Sequence, residues 1–270
     1  MEQPKNNLKV IAEKKNARVI LPNMLTLIGV CIGLTSIKFA LDGKFALAVI
    51  AILFAGLMDA LDGRIARLIK GTSKMGKELD SLGDVISFGV APALIMYFWN
   101  LQYLEKLGWF VCLTYVVCVA LRLARFNVNS EEEPSWKDNF FQGMPAPAGG
   151  IMVLMPLVIS FSEIGSYFIN INYDLIVPTF FIIISVLLIS TIPTYSFKKI
   201  VIPRSMTKFL LFGIVLFFGA LLVYTFKVLA VSSFVYICLI PISYLHYKKI
   251  KKEKNIPTNK DEDEGLEDIL

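Results

Sequence analysis

Apolar runs about twenty residues long recur along nearly the whole chain. Coiled as a helix with a rise of about 1.5 Å per residue, such a run reaches across the ~30 Å hydrocarbon core of a bilayer. The runs predict about eight spans, at roughly 20–41, 44–68, 80–99, 107–127, 147–168, 174–192, 207–226 and 228–247. Composition agrees, because 56% of the 270 residues are hydrophobic and only 18% are charged, far from the balance of a water-soluble domain. The expected class is an all-α polytopic membrane protein.

The flanks read differently. The first apolar run starts near Val19 after a polar stretch and lacks a small-x-small cleavage site, so it reads as a span and not as a secretory signal. Within residues 1–19, Leu8, Ile11 and Ala12 share a helical face among basic residues, which predicts a short cytoplasmic interfacial helix. Residues 248–270 are lysine-rich and then acidic, with too little apolar content to fold alone; a charged, disordered cytoplasmic tail is expected.

Of the 27 lysines and arginines, all but Lys38, Lys44, Lys106 and Lys227 fall on one side of this topology. That asymmetry marks the side as cytoplasmic and puts both termini there. The same residues offer no basic patch on a soluble face, which argues against nucleic acid as a partner. Cys31, Cys112, Cys118 and Cys238 all lie inside apolar runs and read as small hydrophobes. Gly29 and Gly33 are spaced for close helix packing. Pro156, Pro178, Pro193 and Pro241 are expected to kink helices.

One stretch breaks the apolar pattern. Asp59 and Asp62 stand three apart, Asp80 and Asp84 four apart, so each pair projects from one face of its helix. Gly71, Thr72, Ser73 and Gly76 between them are enough to turn the chain back, making the two helices antiparallel neighbours. Carboxylates left ionised and unpaired at membrane depth cost several kcal/mol each. A hard divalent cation such as Mg²⁺ or Mn²⁺ relieves that cost, because it prefers oxygen ligands. Two such ions about 4 Å apart would clamp the attacking and leaving oxygens of a phosphoryl displacement. Gly63 and Ala66 leave room for a nucleotide, and Arg67 offers a planar fork for phosphate. The bland alternative is a set of interfacial helix-end residues in which Arg64 and Arg67 pair the aspartates.

The pattern D-x2-D-G-x2-A-R-x8-G-x3-D-x3-D, from Asp59 to Asp84, resembles the signature of the CDP-alcohol phosphatidyltransferases at every fixed position. The wider likeness runs from about Pro22 to Thr191. It implies a six-helix catalytic core over 20–192, with 193–247 as two additional helices and their connecting loop. It also implies that Asp59, Asp62, Asp80 and Asp84 hold two divalent metal ions, Mg²⁺ or Mn²⁺, with Asp84 serving as general base. Gly63, Ala66, Arg67 and Ser73 would bind the CDP part of CDP-diacylglycerol, joined by Asn23 and Thr26. Family members are generally homodimers, so a homodimer is expected.

Within the family the likeness is to integral-membrane phosphatidylserine synthases, carried by Leu79 to Pro92, Arg122 to Asn127 and Phe141 to Gly150; Gly83 stands where alanine is the commoner residue. The implied reaction moves a phosphatidyl group from CDP-diacylglycerol to L-serine and releases CMP, at the cytoplasmic face of the cell (inner) membrane. Arg122 and Arg125 share a helical face and could grip a serine carboxylate, with Asn127 and the Gln142-Gly143 segment completing the pocket. Two rivals remain at this stage. One keeps the chemistry with glycerol 3-phosphate or inositol phosphate as acceptor, which needs a second phosphate clamp. The other is a cation-coupled transporter, whose site is expected near the bilayer midplane on broken helices.

Overall fold

The computed structural model describes residues 5–69, 71, 73–129, 140–162, 173–195 and 206–253. Nearly all of them are helical. Helix α1 (Lys5–Leu41) runs without a break from the polar N-terminal segment into the first apolar run. It is therefore one element and not a short separate helix followed by a span. No glycine or proline interrupts it before Pro22. Gly43, at φ +72°, turns the chain into α2 (Phe45–Leu68).

The third span begins at Lys74, earlier than residue 80, and is composite. Helix α3 (Lys74–Asp84) passes through a π-helical turn (Val85–Val90) into α4 (Ala91–Trp99). A 3₁₀ turn at Leu101–Leu104 leads into α5 (Glu105–Asn129). The fifth run is split at Leu154 into α6 (Ala146–Val153) and α7 (Met155–Phe161), since Pro156 cannot continue the hydrogen-bond ladder. Residues 163–168 of that expected span lie outside the described residues. Then follow α8 (Tyr173–Ile189), α9 (Thr207–Val223) and α10 (Thr225–Glu253). Pro178 and Pro241 lie inside helices. Pro193 does not: it belongs to strand β2 (Pro193–Tyr195), which pairs antiparallel with β1 (Phe140–Gln142) in a short ribbon absent from the sequence expectations.

Among the described residues, five helices can cross a membrane by length and composition: Ile20–Leu41, Phe45–Leu68, Lys74–Trp99, Leu101–Val128 and Thr225–Lys248. Tyr173–Ile189 and Thr207–Val223 are apolar but shorter. Large apolar side chains face outward all round, among them Phe209, Phe212 and Leu222 of α9, a helix with no buried residue. Such a surface suits lipid and not water. The last helix continues to Glu253, so residues 248–253 are helical and not part of an unstructured tail. Residues 254–270 lie outside the described residues.

Small residues set the close approaches that position the site. A Cβ on Gly33 would sit 2.6 Å from the Ser87 hydroxyl and 3.1 Å from its Cα, so α1 touches the π turn there. Gly29 meets α2 at Met58. Gly150 gives the same access to Phe88, where a Cβ would lie 3.0 Å from the Phe88 Cβ. Around Phe88 the core is fully packed by Tyr115, Met144 and Phe181, with the Tyr115 and Phe181 rings edge-on at 5.4 Å. At the far end, Trp99 stacks edge-on with Tyr173 and Asn100 Nδ2 donates to Asp174 Oδ1 at 3.1 Å.

Candidate metal centre and active site

The α2–α3 connection folds as the sequence predicts. The Gly71 N–H closes back on the Ala66 carbonyl at 2.9 Å, and Ser73 caps α3 by accepting from the Gly76 N–H at 3.0 Å. The two helices then face each other, and their acidic pairs converge. One carboxylate oxygen from each of Asp59, Asp62 and Asp80 lies within 4.8 Å of the others. Asp84 adjoins this trio, its carboxyl close to those of Asp59 and Asp80. Asp62 is buried at 3% exposure, and the Thr26 hydroxyl donates to its Oδ2 at 2.6 Å. A cleft of about 220 Å³, open solvent included, runs between α1, α2 and α3 and is lined by these groups with Gly29, Gly83 and Ser87.

Among the described residues none of the four aspartates has an ion-pair partner, so the alternative in which Arg64 and Arg67 neutralise them does not hold. Arg67 instead turns back on its own helix, its Nε donating to the Gly63 carbonyl at 2.9 Å. Acidic groups this close repel one another strongly in a low-dielectric setting. An all-oxygen donor set of this spacing, with one member already oriented by a hydroxyl, fits a hard divalent cation.

The remaining expected residues are distributed around the cleft. Thr26 lines it. Asn23 packs against the first turn of α3, where a Gly76 Cβ would come within 2.8 Å of its Oδ1. Gly63 faces open space, with nothing within 4 Å of a Cβ. Ala66 is half-buried and Arg67 exposed, one turn further along α2. Ser73 is occupied as a cap acceptor and keeps its own proton to donate. Gly83 closes on α1, where an alanine Cβ would meet Val30 at 3.1 Å and Thr26 at 3.3 Å.

The acceptor-side residues divide. Arg122 is buried at 8% exposure, its guanidinium 5.6 Å over the Phe126 ring and within electrostatic reach of Asp84. Arg125 instead donates from Nη1 to the Ile189 carbonyl at 2.7 Å, joining α5 to the end of α8. Asn127 Nδ2 donates to the Ser81 hydroxyl at 2.8 Å, joining α5 to α3. Gly143, at φ +73°, accepts from the Thr194 hydroxyl at 2.7 Å and so anchors the ribbon.

The π turn was missed in the sequence. It follows directly on Asp84, and the Ala91 N–H reaches back to Ile86 in place of Ser87. Pro92 is the readable signal: without an N–H it cannot bond the Phe88 carbonyl, and the buried Tyr115 hydroxyl donates to that oxygen at 2.8 Å. Turns of this kind often accompany functional sites.

Comparison with known proteins covers the same ground. Residues 19–189 match the family model for CDP-alcohol phosphatidyltransferase. A CDP-diacylglycerol–serine O-phosphatidyltransferase of Mycobacterium leprae is 36% identical over 231 residues, 83% of this chain and 74% of that one. Its namesake in Helicobacter pylori is 35% identical over 185 residues, 68% of this chain and 76% of that one. An archaetidylserine synthase of Methanothermobacter thermautotrophicus is 34% identical over 186 residues, 67% of this chain and 71% of that one. With the matched segment spanning all four aspartates and the cleft between them, the chain belongs to the CDP-alcohol phosphatidyltransferase family.

Proposed function

We propose that the chain transfers the phosphatidyl group of CDP-diacylglycerol to L-serine, giving phosphatidylserine and CMP. The observation that carries this reading is the convergence of Asp59, Asp62 and Asp80 within 4.8 Å, with Asp84 beside them, inside the segment matched to the family. Serine as acceptor is supported by the names of the relatives. Asp59, Asp62, Asp80 and Asp84 would hold two divalent ions, Mg²⁺ or Mn²⁺, which when bound neutralise charge on the phosphoryl oxygens.

The protein groups divide the remaining work. Gly63 leaves the α2 face open for the CDP moiety, and Arg67, Ser73, Asn23 and Thr26 border its approach. The serine hydroxyl oxygen forms a bond to the phosphorus that carries the diacylglycerol, and the bond from that phosphorus to the bridging oxygen breaks. CMP leaves with the electron pair. Asp84 takes the serine hydroxyl proton, which requires it to lie within hydrogen-bond reach of that oxygen. Arg122, buried behind Asp84, meets the serine carboxylate; Arg125 and Asn127 brace α5 around it.

The domain plan, 20–192 as catalytic core and 193–247 as an addition, belongs to this reading. So do the homodimer, placement in the cell membrane, and a cytoplasmic active site flanked by most of the basic residues. The test is to give purified chain CDP-diacylglycerol and, separately, L-serine, glycerol 3-phosphate or inositol phosphate, with Mg²⁺ or Mn²⁺. Phosphatidylserine formation with matching CMP release is expected from serine alone. Transfer confined to a phosphorylated alcohol would overturn the assignment.

A further inference from the structure

Helix α10 lies beyond the segment matched to the family, yet its inward face is not simply apolar. Leu229 and Ala230 are buried there together with Ser233 at 5% and Ser243 at 1% exposure, and Tyr236 packs on the same core. Polar groups held inside a membrane protein are costly and usually have a task. Among the described residues the Tyr236 hydroxyl is sealed from solvent and has no hydrogen-bond partner. Thr194 lies beside it, but the Thr194 hydroxyl is turned to the Gly143 carbonyl at 2.7 Å. Arg122 also lies within electrostatic reach of it.

Arg122 has a matching deficit. It is buried at 8% exposure and, among the described residues, forms no ion pair; its contacts are the Phe126 ring face and, at longer range, Asp84. A buried guanidinium with no direct ion pair among the described residues and a buried phenol without an acceptor are both expensive. One ligand satisfies both: an anion that accepts from the O–H and pairs with the guanidinium. Arg122 is within electrostatic reach of Asp84, which lines the cleft, so an anion paired with Arg122 would lie near that side of it.

We propose that Tyr236 completes the acceptor pocket by donating its hydroxyl to the carboxylate of the incoming amino-acid alcohol, whose second oxygen pairs with Arg122. This rests on the serine reading above and assigns α10 a part in substrate selection. An acceptor without a carboxylate leaves both groups unmet, which is a strong basis for rejection.

The test is Tyr236→Phe in the full-length protein, which keeps the ring and its packing. A hydrogen bond to a charged group is worth enough that kcat/KM for L-serine falls roughly tenfold or more, mainly through KM. KM for CDP-diacylglycerol and the melting temperature stay at wild-type values. Unchanged kcat/KM for serine overturns the inference, and so does a loss shared equally by the CDP-diacylglycerol KM and the melting temperature, which marks a structural role. Wild-type protein that does not use serine overturns the functional reading itself, whereas an unaffected Tyr236→Phe enzyme that does use serine overturns only this inference.

Discussion

Asp84 differs from the other three aspartates in its surroundings. It ends α3 where the π turn begins, and it alone faces Arg122. If it is the proton acceptor, Asp84→Asn lowers turnover at least 10²- to 10⁴-fold, the usual range for a positioned general base, and leaves CDP-diacylglycerol binding largely intact. Turnover and donor binding measured on the same preparation check this. Wild-type turnover would remove Asp84 from the role. Thr26 acts one step back, through its 2.6 Å bond to Asp62. Thr26→Val keeps the shape and removes the donor, so the metal concentration for half-maximal activity rises about tenfold or more, with the rate recovering at saturating metal. A metal titration of activity that superimposes on wild type would refute the assignment. Spacing along one helix revealed the carboxylates because i, i+3 and i, i+4 fix a shared face. Spacing could not reveal that Arg125 would meet Ile189, or Asn127 meet Ser81, since those partners lie on other helices.

At the scale of elements, apolar run length located the helices well, because that signal sums over some twenty residues. Features one residue deep were lost in the same sum. The π turn, the break at Leu154 and the three-residue ribbon are all shorter than any periodicity window. The extent of α1 and α10 was misjudged for another reason: helix continues through polar sequence where no breaker stops it. The π turn is the element with most bearing on the site, since it joins Asp84 to the Phe88 core. Tyr115→Phe withdraws the hydroxyl that donates to the Phe88 carbonyl. The expected cost is about 1–3 kcal/mol, typical of a buried carbonyl losing its donor. It should appear as a lower melting temperature together with reduced turnover, as Asp84 shifts. Unchanged melting and turnover would show that the turn holds without Tyr115.

For the whole molecule, the four aspartates are a source of instability that the fold tolerates. They lie between α1, α2 and α3 with no direct ion pair among the described residues, and Arg122 acts only on Asp84, at longer range. A bound divalent ion removes that repulsion and binds only the folded state, so it stabilises by mass action, about 2.7 kcal/mol at a concentration a hundred times its Kd. Wild-type protein in detergent therefore melts higher with Mg²⁺ or Mn²⁺ than with chelator. Asp80→Asn separates this from a general salt effect. Removing one like charge relieves the repulsion directly, so in chelator the variant melts above wild type, and added metal moves it far less. The same variant loses transfer activity, because the arrangement that destabilises the empty fold is the one that holds the ions. If Asp80→Asn melts below wild type in chelator, the carboxylates are not in conflict, and the metal centre inferred from their convergence is lost with them.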